Sequence, residues 1–113
     1  ITLLQSTDNG ATFTSLGQIG SGYFAHVSCT DSMVAVGWEH STTSAKDDNK
    51  KAGWALFSND GESFGTNLID DGRTTATTVY LSPDSRWMEV LWLKVQTGAP
   101  LEGTLRHQIL SLE

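Results

Sequence analysis

The apolar positions of this chain fall in short bursts, separated by polar and turn-forming residues. Met33-Val34-Ala35-Val36-Gly37-Trp38, Val79-Tyr80-Leu81 and Met88-Glu89-Val90-Leu91-Trp92-Leu93-Lys94-Val95 are the clearest. β-Branched and aromatic residues arranged in this way signal short strands. No window carries the i, i+3, i+4, i+7 spacing of an amphipathic helix. The pattern predicts strands over residues 2–6, 14–19, 23–30, 33–40, 52–58, 66–70, 75–81, 87–96 and 104–112. Asp31-Ser32 and Pro83-Asp84-Ser85 break the pattern as tight hairpin turns do. The stretch 41–51 is polar throughout and ends in Lys46-Asp47-Asp48-Asn49-Lys50-Lys51, which predicts a long solvated loop.

The pattern also repeats. Ser6-Thr7-Asp8-Asn9-Gly10-Ala11-Thr12-Phe13 has a counterpart in Ser58-Asn59-Asp60-Gly61-Glu62-Ser63-Phe64, one residue shorter between Asp and aromatic. Met33–Trp38 superposes on Trp87–Trp92, with Trp38 falling on Trp92. The two offsets are 52 and 54 residues. The carboxy-terminal Ile109-Leu110-Ser111-Leu112-Glu113 echoes Leu3-Leu4-Gln5-Ser6-Thr7-Asp8, so the chain begins and ends in the same phase. Two repeats, approximately 1–57 and 58–113, form one unit with room for four strands each. Four strands in about fifty residues is the arithmetic of a β-propeller blade. The equivalence of Trp38 and Trp92 predicts that both pack inside their units, whereas Trp54 and Trp87 have no such match.

Composition narrows the function classes. At 113 residues the chain has the length of one domain. Seven Lys and Arg against thirteen Asp and Glu give a net charge of −6, which argues against a nucleic-acid groove. No apolar run reaches the roughly 20 residues of a membrane span. The single cysteine, Cys29, excludes an intrachain disulfide and a cysteine-based zinc site. His26, His40 and His107 share no ligand spacing, and no metal is expected. Asp47-Asp48-Asn49 has the oxygen chemistry of a hard-cation site but reads first as a polar loop. Neither a phosphate-cradling glycine loop nor a nucleophile elbow is present, so no cofactor is expected. The opening Ile1-Thr2-Leu3-Leu4 has neither an initiator Met nor a signal-peptide pattern, and reads as a processed or excerpted product.

The segment Ser6–Phe13 matches Ser-x-Asp-x-Gly-x-Thr-aromatic at every defining position. It resembles the Asp box of sialidase-like β-propellers. The Asp is expected to accept N–H bonds within its own turn, and the Gly to supply a positive φ. The aromatic is expected to drop between strands and anchor the hairpin by burial. The resemblance implies an all-β fold of about two four-stranded antiparallel blades, closed by oligomerisation or as part of a larger propeller. It also implies that Ser6, Asp8, Gly10, Phe13, Ser58, Asp60, Gly61 and Phe64 are structural, on the face opposite any ligand.

The other face then collects Gly20–Tyr23, Glu39–Lys51, Asp70–Arg73 and residues 97–101. Tyr23, Glu39, Asp70, Asp71 and Arg73 are the candidates for ligand contact. Arg73 offers a planar fork to a carboxylate, and Tyr23 an amphipathic ring to a sugar. The Asp70-Asp71-Gly72 step reads equally as a turn with exposed charge. Sialidases of this type share an Arg-Ile-Pro motif and an arginine triad. This chain has no Arg-Ile-Pro, and its arginines are Arg73, Arg86 and Arg106 alone, so no catalytic residue is transferred. The resemblance therefore implies a non-catalytic binding or scaffold module for a glycan or other polar ligand, outside the cell. The alternatives are a sialidase-like glycoside hydrolase completed by other subunits or blades, and a purely structural unit.

Overall fold

A computed structural model describes residues 1–41, 50–95 and 103–113. Its described residues form nine strands and no helix: β1 (Thr2–Gln5), β2 (Thr14–Gln18), β3 (Gly22–Cys29), β4 (Met33–His40), β5 (Lys51–Ser58), β6 (Ser63–Ile69), β7 (Thr74–Leu81), β8 (Trp87–Val95) and β9 (Gly103–Ser111). Each falls on a strand that the sequence pattern predicts, with ends shifted by up to three residues. The strands form three antiparallel sheets in the orders β1-β2, β3-β4-β5-β6 and β7-β8-β9. None closes into a barrel. The division between residues 57 and 58 falls in the last step of β5, which is paired with β6 in one sheet, so the repeat and the sheet are out of phase. One expected four-stranded sheet is present, β3-β4-β5-β6; the second holds three strands, β7-β8-β9, and β1-β2 stand as a sheet of two.

The middle sheet is covered on both faces, which explains why β4 reads as a continuous apolar run rather than an alternating one. Ala35 of β4 and Ala52 and Leu56 of β5 join Val79, Leu81, Met88, Val90 and Trp92 in one core. Val36, Trp38, Ala55 and Phe57 point the other way and are covered by Ile1, Leu3 and Ile19. Trp38 and Trp92 are both buried, as their equivalence predicts. Gly37 is small because Val79 lies above it, where an added Cβ would come within 2.8 Å of a Val79 methyl.

Repetition extends to backbone irregularities. β3 and β7 each carry a register shift, and in each the shift contains a non-glycine residue with positive φ: Phe24 at 55° and Ala76 at 53°. These residues are 52 positions apart, the same offset as the Ser6 and Ser58 turns. Such bulges bend a strand and re-aim the side chains beside them. The hairpins that follow are closed alike by hydroxyls. Thr30 Oγ1 accepts from the amide of Met33 at 3.2 Å, and Ser82 Oγ accepts from the amides of Arg86 and Trp87 at 3.1 Å.

At this turn end the sheets are also tied together. Thr30 Oγ1 lies 2.6 Å from Ser85 Oγ, and Asn59 Nδ2 donates to the Asp31 carbonyl at 2.6 Å. The Gln5 amide donates to the Asn59 carbonyl.

Candidate functional site

The chain has two chemically distinct ends. The Ser6–Phe13 turn, the hairpins at 30–33 and 82–87, and the Ser58–Phe64 turn lie at one end. The connections leading into β3 and β7, with the strand ends at His40, Lys51, Val95 and Gly103, lie at the other.

The first turn is built around two side chains. Ser6 Oγ donates to Asp8 Oδ1 at 2.8 Å and accepts from the Gly10 amide at 2.8 Å. Asp8 Oδ1 accepts from the Thr12 amide at 2.8 Å, and Asp8 Oδ2 accepts from the Thr12 hydroxyl. Asn9 and Gly10 supply the positive φ angles, 58° and 86°. The Thr12 hydroxyl and amide, with Ser6, hold the Asp8 carboxyl at about 2, well below its ordinary 3.8.

The second turn uses only the serine. Ser58 Oγ accepts from the Glu62 amide at 3.1 Å, and Asp60 takes no part in the bonds found among the described residues. The deleted residue is the counterpart of Asn9, and Ser63, which stands where Thr12 does, accepts from the Gly65 amide at 3.3 Å instead of donating to Asp60.

Both aromatics correct the expectation of burial. Phe13 is 61% and Phe64 51% exposed. The hydrogen bonds close the first turn without the ring.

Replacing Asp8 with alanine should leave the strands intact and abolish hydrogen-exchange protection of the Thr12 amide. In the unaltered chain that protection should be complete above pH 3.8 and fade as the pH falls through about 2. Amide exchange by NMR reads both.

The five residues nominated for ligand contact all lie at the opposite end, with different surroundings. Glu39 is only 1% exposed. It accepts a hydrogen bond from the Thr75 hydroxyl on the neighbouring sheet and pairs with Lys50 Nζ at 2.9 Å. Burial alone would raise its pKa. The bonds from Thr75 and Lys50, the Lys50 charge and the Ala76 amide outweigh that and hold it below 4.5.

Asp71 accepts from Trp92 Nε1 at 2.8 Å and pairs with Lys94 Nζ and Arg106 Nε, each at 3.3 Å. The Trp92 bond contributes most to lowering its pKa, and the two cations add to it. Both acids are thus bound by the protein itself and bridge the second and third sheets or their connection.

Asp70 stands in solvent, 3.7 Å from Lys51 Nζ. Arg73 is exposed, and its carbonyl accepts from the Val95 amide at 3.0 Å. Tyr23 is exposed beside Phe24, their ring centroids 6.2 Å apart and tilted by 48°. Phe24, Lys94 and Arg106 were not visible as site residues in the sequence. No sequence signal marks Phe24, since the equivalent bulge position in the second repeat holds Ala76.

Charge divides between the ends. Lys50, Lys51, Arg73, Lys94 and Arg106 lie at this end with Glu39, Asp70 and Asp71. The turn end carries Asp8, Asp31, Asp60, Glu62 and Asp84 with Arg86. Lys46, Asp47, Asp48, Asn49, Glu102 and residues 97–101 lie outside the described residues. Among the described residues no group of three or more His, Cys, Asp or Glu is placed to hold a metal ion. No helix of the described residues is long and apolar enough to cross a membrane. The chain matches no family model, no curated protein and no solved structure.

Proposed function

We propose that this chain is a non-catalytic binding or scaffold module of the Asp-box β-propeller type, acting outside the cell. Its sheets are the blades, and the end that carries Tyr23 and Arg73 is where a polar glycan docks. The observation that carries the reading is the exposed Tyr23–Phe24 pair at the end that also carries the exposed Arg73.

Aromatic faces take the apolar face of a sugar ring, and guanidinium groups take a carboxylate in a planar fork. An acidic sugar satisfies both. Stacked sheets with hydroxyl-closed hairpins at one end and polar connections at the other support the propeller reading.

The state of the acids favours binding over hydrolysis. A glycosidase needs one carboxyl kept protonated near neutral pH beside a second, ionised one. Glu39 and Asp71 are instead both held ionised, and their oxygens are occupied by Thr75, Lys50, Trp92, Lys94 and Arg106.

Titration with N-acetylneuraminic acid, glucuronic acid and neutral galactose, followed by amide NMR, tests the proposal. The two acidic sugars should shift resonances of Tyr23, Phe24 and Arg73, and galactose should do so more weakly. Arg73→Ala should weaken acidic-sugar binding about tenfold, the loss of one charge-assisted pair. Equal response to all three sugars, or shifts confined to the Asp8 turn, would sink the proposal.

A further inference from the structure

β9 is an edge strand without the usual protection. It runs nine residues, Gly103–Ser111, and among the described residues only β8 pairs with it. The other edge strands, β1, β2, β3, β6 and β7, all pair through a register shift. Such irregularities twist an edge away from a newcomer, and proline or lysine on the edge serves the same end. β9 has neither residue, and its register with β8 is unbroken from Gly103 to Ser111.

The ladder decides which backbone groups stand free. The Leu112 amide donates to the Arg86 carbonyl at 2.8 Å, in the frame that continues through the whole β8–β9 pairing. Antiparallel pairs alternate between bonded and unbonded, so Thr104, Arg106, Gln108 and Leu110 turn their N–H and C=O groups toward β8. Gly103, Leu105, His107, Ile109 and Ser111 turn theirs to the open edge. Their side chains lie on the face opposite Leu110, which packs on the core. On that outer face Leu105 is 65% and Ile109 59% exposed.

The edge is complementary to itself. Against a second β9 running the opposite way, with the two-fold axis at His107, Leu105 of each copy faces Ile109 of the other. Arg106 then faces Gln108, and Thr104 faces Leu110. At the axis each His107 is engaged by its own Glu89, 3.0 Å away. An axis at Arg106 would set two guanidinium groups against each other, and one at Gln108 would set Arg106 against Leu110. An axis between residues would mispair the two faces. The His107 register alone joins apolar side chains on the outer face and keeps the arginines apart.

We infer that β9 pairs with β9 of a second copy about this axis, joining two three-stranded sheets into one. A partner of the same sequence is favoured because one set of residues supplies the free backbone groups and the apolar pairs on both sides. The contact is isologous, so it closes at two copies. It uses neither Tyr23 nor Arg73, so sugar binding and dimerisation can fail independently.

Light scattering and amide exchange up to about 0.5 mM, where even a weak interface associates, test this together. The unaltered chain should rise from the monomer mass to the dimer mass and stop there. Over the same range the amides of Leu105, His107 and Ile109 should gain protection, whereas those of Arg106 and Gln108 should be protected throughout. His107→Pro removes an N–H that points away from β8, so the ladder survives and the chain should be monomeric. Leu105→Glu and Ile109→Lys, both at exposed positions, carry the test if His107→Pro fails to fold. Each should weaken self-association about tenfold, because each loses both outer-face apolar pairs. Mixed in equal amounts they should dimerise, since one glutamate then faces one lysine and one Leu–Ile pair remains. A chain that is monomeric at every concentration overturns the inference. If its Leu105, His107 and Ile109 amides are nonetheless protected, a segment of the chain itself covers the edge. Growth beyond the dimer, association that survives His107→Pro, or a mixture no more associated than its components overturns it too.

Discussion

Glu39→Ala should lower the stability of the folded chain by about 3 kcal/mol, the low end of the cost of breaking a buried ion pair from one side. For a domain of this size that is a fall of roughly 10 °C in melting temperature. The substitution strands three groups at the contact of the second and third sheets: the Lys50 ammonium, the Thr75 hydroxyl and the Ala76 amide. The loss comes mainly from those unpaired partners. Replacing Glu39 and Lys50 together by methionine should therefore cost less than Glu39→Ala alone.

The pH dependence isolates the charge. Because the folded pKa lies below 4.5, the carboxylate's contribution is fully present above 4.5 and is lost as the pH falls through the lower folded value. The stability gap between the unaltered chain and Glu39→Ala should be constant near neutrality and narrow below pH 4.5. Denaturant unfolding at several pH values measures it. A gap that persists unchanged into strong acid would show that packing, not the ionised carboxylate, is what the substitution removes.

Glu39 also marks the limit of what the sequence makes legible. The nine strands could be read because period, turn residues and β-branched bursts are local signals. The contacts of Glu39 are not local: its partner Thr75 is 36 residues away on another sheet. A glutamate near the end of a strand, before a polar loop, reads as a surface acid. Only the stacking of the third sheet turns it inward. Asp71 is hidden in the same way, since Trp92 and Arg106 reach it from strands that the sequence places but does not orient.

The exposed rings of Phe13 and Phe64 were missed for a different reason. The motif fixes the turn chemistry through Ser6, Asp8 and Thr12, but burial of the aromatic depends on what stands beside the hairpin. The two-stranded first sheet offers Phe13 no partner. Residue equivalence, by contrast, carries well: Trp38 and Trp92 are both interior, and the bulges at Phe24 and Ala76 repeat at the same offset although their side chains share nothing.

Trp38→Ala should be the most damaging single substitution, costing about 3–5 kcal/mol, the range for truncating a large core aromatic. The indole is completely buried, between Gly20 of the connection before β3 and Gly53 of β5. An added Cβ on either glycine would come within 2.5 or 2.6 Å of the ring, so both positions are empty because the ring fills them. Trp38 shares its core with Val36, Ala55 and Phe57, beneath the Ile1, Leu3 and Ile19 that fasten the first sheet. Its loss should therefore release β1 and β2 before the rest unfolds, seen as early loss of amide protection at residues 1–19.

Two further variants separate packing from polarity. The indole N–H has no hydrogen-bond partner among the described residues, so Trp38→Phe removes an unsatisfied donor along with some volume. It should cost well under half of what Trp38→Ala costs. Gly53→Ala alone should destabilise by about 1–3 kcal/mol through overpacking against the ring. Combined with Trp38→Ala, the new methyl enters the vacated space, and the double variant should be more stable than the sum of the two predicts. Additive losses would mean that Gly53 is held small by its backbone and not by Trp38.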